Sequence, residues 1–141
     1  MIAFLVATAL AVQNAPPAPA WTWTLYADTA PVVLANEIPD TASLRLTLEC
    51  DPGSSVARVT LYGAVMTGVA RVTAGDAVAM AEAEPARSGG TKLTLRTDHP
   101  AFAAFAAGGR MAVLVGEQSR PVEVPAAHLA KLRRFSELCS G

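Results

Sequence analysis

Two histidines, two cysteines and a few paired acids are the residues of this chain with chemistry to offer. His99 stands between Asp98 and Pro100. A histidine next to an aspartate is a base beside its orienting carboxylate, or part of a metal site. The same three residues also spell a helix start, with Pro in the first turn and Asp98 or His99 in the cap region. His128 falls on the inner or border face of a helical stretch, where it reads as a packed or surface residue rather than a ligand. Glu82 and Glu84 share one face of a strand beside Pro85. Two close carboxylates share a proton or hold a cation; on a solvated strand face they merely keep it wet. The sequence contains no HExxH, CxxC or Gly-x-Ser-x-Gly motif. Ser88-Gly89-Gly90 and Gly108-Gly109 lack the lysine of a phosphate loop and read as turns. Arg133 and Arg134 read as the solvated side of the last helix, with a docking patch for an anionic partner as the alternative. Trp21 and Trp23 share a strand face, to pack in the core or to stack a sugar or a partner's side chain. The expectation is no catalytic, metal-binding or cofactor-binding residue. Asp98-His99 is the one pair on which a small enzyme would be built.

The cysteines point to a staple rather than to reactivity. From Ser43 to Cys50 the chain alternates, with Leu44, Leu46, Leu48 and Cys50 on one face and Ser43, Arg45, Thr47 and Glu49 on the other. That is a half-buried strand with Cys50 turned into the core. Over Ala126–Cys139, His128, Leu132, Phe135 and Cys139 recur at helical spacing, so Cys139 also faces inward. Two inward cysteines pair in an oxidising compartment if the helix packs over that strand. The predicted disulfide Cys50–Cys139 closes a loop of 89 residues. The chain-entropy model assigns such a loop about 4–5 kcal/mol as an upper figure.

The segments between them read as short strands broken by turns. Trp21–Tyr26 alternates large apolar residues with Thr, and Val32–Ala35 is a short apolar run. Asp51-Pro52-Gly53-Ser54 has Pro and Gly where a type II turn wants them, so residues 43–62 form a hairpin with Val56–Tyr62 returning. Gly63 and Gly68 bracket a break, and Val69–Thr73, Ala77–Glu84 and Thr91–Arg96 follow as strands. Ala77–Glu84 is alanine-rich and helical by propensity, but its shortness and flanking turns favour a strand. A short helix starts at Asp98-His99-Pro100, carries Phe102, Phe105 and Ala106 on one side, and ends at Gly108-Gly109. Arg110–Val115 is a strand, Gly116–Ser119 a turn, Pro121–Val124 a strand, and Pro125 opens the final helix at Ala126. The fold class expected is mainly β: one antiparallel sandwich or open barrel with one short helix and a C-terminal helix.

The amino terminus reads as an address. Ile2–Val12 is an uncharged apolar run of 11 residues. A membrane-spanning helix needs about 20, whereas a signal-peptide h-region needs fewer. Ala18-Pro19-Ala20 is the small-x-small pattern of a cleavage site, and no cysteine near the cut suits a lipid anchor. Residues 1–20 are therefore expected to be a signal peptide and residues 21–141 a β-rich domain that begins at Trp21. No Lys or Arg precedes the run, which departs from the usual pattern. The 141-residue chain is 52% hydrophobic and 16% charged, with a formal net charge of −1. Such a composition is that of a chain with a real core, not a disordered one, and it carries no basic excess to neutralise nucleic acid.

The order of features is a Trp strand, a Leu-x-Leu-x-Cys strand ending at Cys50, Phe102-x-x-Phe105-x-x-Gly108-Gly109, a strand, and a helix ending Arg134-Phe135-x-x-x-Cys139. This arrangement resembles the small exported bacterial proteins similar to invasion-associated locus B protein. The resemblance implies a periplasmic or secreted β-sandwich without established catalytic residues. The functional expectation is an exported, non-catalytic binding or accessory domain of the bacterial envelope. Its partner would be an envelope protein or ligand, and no stable membrane span remains after signal removal. A structural envelope-associated subunit is the alternative.

Overall fold

A computed structural model describes residues 20–141, so nearly all of the expected signal segment lies outside the described residues. Nine strands follow one another as β1 (Thr22–Tyr26), β2 (Val32–Glu37), β3 (Leu44–Cys50), β4 (Val56–Leu61), β5 (Gly68–Ala74), β6 (Ala77–Pro85), β7 (Thr91–Arg96), β8 (Arg110–Val115) and β9 (Gln118–Glu123). Helix α1 (Pro100–Gly108) lies between β7 and β8, and helix α2 (Leu129–Cys139) closes the chain. All strand pairs are antiparallel, in the order β1-β2-β3-β4-β7-β6-β5-β8-β9. The sheet curls into a half-barrel, the open-barrel form of the expected mainly-β fold.

Period-2 patterning decides the two faces. Leu46, Leu48 and Cys50 of β3, Ala57, Val59 and Leu61 of β4, Leu93 and Leu95 of β7, and Met111, Val113 and Val115 of β8 are all buried. Their neighbours in sequence point outward and are mostly polar. The helices fill the inward face. α1 packs on β5, β6 and β8, α2 packs on β1 and β2, and the two helices touch each other. Phe102, Phe105, Leu132 and Phe135 are the large fully buried side chains they contribute. Alanines line the inner face of β6 (Ala79, Ala83) and of β5 (Ala70, Ala74), and small side chains there leave room for the phenylalanines of α1. The alanine-rich segment is thus a strand, because that face had to be thin. β6 joins β7 through only two residue pairs, Glu84–Lys92 and Pro85–Thr91, and the sheet is weakly stitched there.

Local chemistry sets the element ends. His99 caps α1: its Nδ1 accepts the Ala101 N–H at 3.0 Å, ahead of Pro100. Gly109 ends the helix at φ +77, and its N–H donates to the Phe105 carbonyl at 2.6 Å. The Asp51–Ser54 turn forms as expected, with Gly53 at φ +74 and the Ser54 N–H donating to the Asp51 carbonyl at 3.1 Å.

Most boundaries fall within two residues of the sequence reading, and two starts differ by three. The turn before β9 is only Gly116-Glu117, and the strand starts at Gln118 rather than Pro121, pairing Gln118 with Val115. Gly116 takes a positive φ at the first turn position, as a tight two-residue hairpin requires. Pro121 is accommodated within the strand because β9 is an edge, where no ladder bond need be given on its free side. The final helix also begins later: Ala126–His128 is a single 3-10 turn and the α-helix starts at Leu129. Neither Pro125 nor His128 offers a side-chain cap.

Candidate functional site

The staple forms as its two elements demand. Cys50 and Cys139 are disulfide-bonded, both fully buried, with Cα atoms 5.8 Å apart. The bond is reinforced by backbone contacts. The Gly53 N–H donates to the Leu138 carbonyl at 3.0 Å, and the Ser55 N–H donates to the Cys139 carbonyl at 2.6 Å. The last carbonyls of a helix have no partner within it, and here the β3–β4 turn supplies the donors. α2 is therefore moored to the sheet by covalent and hydrogen bonds at one point.

Asp98 and His99 are not assembled as a base and its orienter. Asp98 receives a bidentate grip from Arg96, Nε to Oδ1 at 2.9 Å and Nη2 to Oδ2 at 2.7 Å. Those hydrogen bonds hold its carboxyl below the usual carboxylate range. The Nδ1 of His99 is occupied by the helix cap. His128 stands at the start of α2 with its Nδ1 3.2 Å from the Lys131 ammonium, which donates to the Trp23 carbonyl at 2.6 Å. Among the described residues no group of three or more His, Cys, Asp and Glu is placed to hold a metal ion. No described helix is long and apolar enough to cross a membrane.

Two surface depressions stand out among the described residues. The larger, about 380 Å³, lies on the outer face where β6 leaves β7, and it contains Glu82 and Glu84 together with Glu49, Arg58 and Lys92. Its charges largely answer one another. Arg58 contacts Glu49 at 2.9 Å and Asp51 at 3.3 Å, and Lys92 lies 3.8 Å from Glu84. Glu82 alone has no cation at ion-pair distance among the described residues. The expected solvated strand face is what Glu82 and Glu84 form, widened here into a groove.

The smaller depression, about 200 Å³, lies where β9 meets the β1–β3 end of the sheet, between Trp23, Asn36, Arg45 and Leu46 on one side and Arg120–Glu123 on the other. Arg120 spans the gap, donating from Nη1 to the Tyr62 carbonyl at 2.9 Å and from Nη2 to the Arg45 carbonyl at 3.2 Å. The Arg45 guanidinium sits 3.9 Å over the Trp21 ring. Trp23 is buried in the core, as expected of it, whereas Trp21 is half-buried and its ring is covered by this chain's own Arg45. Sequence reasoning missed Arg45 and Arg120 as a pair. Each occupies a polar strand position, and nothing local joins residues 75 apart.

Arg133 reaches the Ala107 carbonyl at 3.4 Å and Arg134 pairs with Glu137 at 3.3 Å, so both serve the exposed side of α2. No family model, curated protein or solved structure matches this chain.

Proposed function

We propose that this chain is an exported, non-catalytic binding or accessory domain of the bacterial cell envelope, periplasmic or secreted, whose partner is an envelope protein or ligand. The observation that carries the reading is the buried Cys50–Cys139 disulfide. Such bonds persist in oxidising compartments and are rare in reducing ones. The apolar run Ile2–Val12 and the cleavage pattern Ala18-Pro19-Ala20 support the same route. The resemblance to invasion-associated locus B proteins belongs with this reading. A non-catalytic role is supported by the Asp98–Arg96 grip and the His99 cap, which give both side chains of the candidate pair other work. A structural envelope-associated subunit is favoured by one feature. Val69, Val78 and Met80 stand exposed on the adjacent strands β5 and β6, interleaved with Arg71, Thr73 and Glu82, a mixed face able to pack against another subunit.

N-terminal sequencing of the native protein from fractionated cells tests the export reading. The expected result is a chain starting at or within a few residues of Trp21 in the periplasm or medium. Intact Met1-Ile2 in the cytoplasm overturns it.

A further inference from the structure

We propose that the crevice between Arg45 and Arg120 binds a small oxyanion, a carboxylate or phosphate group carried on a compact ligand. The inference deepens the binding-domain reading and rests on it.

Charge comes first. Neither Arg45 nor Arg120 has a carboxylate within ion-pair distance among the described residues, yet both line one crevice of about 200 Å³. The acid on its wall, Glu123, is engaged by Arg110 at 3.4 Å. Two uncompensated guanidinium groups therefore face one acid that already has a partner. The second consideration is order. Arg120 is half-buried and held by two backbone carbonyls on two different segments, Arg45 and Tyr62. A guanidinium carries five N–H donors, so three of Arg120's remain without a protein acceptor among the described residues. Arg45 is steadied by its stacking on Trp21. Arginines fixed in this way lose little conformational freedom when an anion arrives, and their planar forks match the two oxygens of a carboxylate or phosphate. Finally, the exposed walls are mostly polar. Trp23, Leu46 and Val122 lie buried at its base with little surface showing, and Asn36 offers an amide. A small polar crevice of this kind suits an anionic head group.

The chain contains two tryptophans, and both stand at this crevice or on its arginine. Intrinsic fluorescence of the purified, oxidised protein is therefore a local reporter. It is titrated with inorganic phosphate and separately with benzoate, each against sodium chloride at matched ionic strength. A saturable change with phosphate identifies a phosphate head, and one with benzoate identifies a carboxylate; either supports the site. In Arg45→Gln, at an exposed position, apparent affinity is expected to fall about tenfold or more. Arg120→Lys keeps the charge but loses the fork, and is expected to weaken binding similarly. Circular dichroism checks that its fold survives, and Arg45→Gln decides if it does not. The proposal is overturned if neither anion gives a saturable change beyond chloride, or if folded variants titrate like the parent protein. The measurement does not depend on compartment. A chain that binds anions but stays in the cytoplasm overturns only the export reading.

Discussion

Thr91 shows how much one hydroxyl does in this protein. It sits at the start of β7, fully buried, where the Met66 N–H donates to its Oγ1 at 2.8 Å and its own hydroxyl donates to the Ala64 carbonyl at 2.8 Å. The segment Gly63–Thr67 has no strand partner there, so a side chain replaces a ladder. Thr91→Val preserves shape but orphans the buried Met66 N–H and takes a donor from the half-buried Ala64 carbonyl. The expected loss is about 1–3 kcal/mol of stability, read as a lower urea midpoint with an unchanged slope. A loss near zero would mean that Gly63–Thr67 finds other partners. The neighbouring Gly90 is constrained by sterics instead, since a Cβ would collide with the Leu61 carbonyl.

Among the elements, α1 depends most visibly on its ends. Its alanines and phenylalanines make it apolar nearly all round, with no acid in the first turn and no base in the last. It thus has little help from the helix dipole, and the His99 cap and Gly109 carry the termination. His99→Ala is expected to cost about 0.5–2 kcal/mol, in the range of other lost N-caps. His99→Asn, which restores a capping oxygen, is expected to recover most of that cost. Thermal unfolding of the three proteins checks the order. Equal melting temperatures for all three would place the control of α1 in its packed face alone. β6 offers the complementary lesson: its composition favours helix, and tertiary demand for a thin inner face made it a strand.

The whole molecule is a curled sheet closed from inside by two helices, and the disulfide fixes the second helix to the first half of the sheet. Cys50→Ser and Cys139→Ser each remove the same bond. They are expected to lower the melting temperature about equally, and the double variant should be no worse than either single one. The loop-closure ceiling is about 4–5 kcal/mol. The backbone bonds from Gly53 and Ser55 to the Leu138 and Cys139 carbonyls depend on the same docking, so they weaken along with loss of the disulfide when α2 lifts from the sheet. Two free thiols in non-reducing mass spectrometry of the native protein would remove the staple from the account. Widely different melting temperatures for the two single variants would make side-chain packing the larger effect.

Alternation with period 2 and the 3.6 spacing of Leu132, Phe135 and Cys139 were enough to identify the strands, the closing helix and the inward direction of both cysteines. These are local signals, because a side chain's face follows from its own neighbours in the chain. The Asp51–Ser54 turn and the Gly109 helix end were legible for the same reason, each resting on residue types suited to one backbone conformation. The order of strands was not legible. That β4 pairs with β7 and that β5 bridges β6 and β8 depends on which apolar faces close over the same phenylalanines, a matter of non-local packing. The Arg45–Arg120 crevice was invisible for the same physical cause. Each arginine looks like an ordinary outward residue in its own strand, and only the curl of the sheet brings β9 against the start of β3.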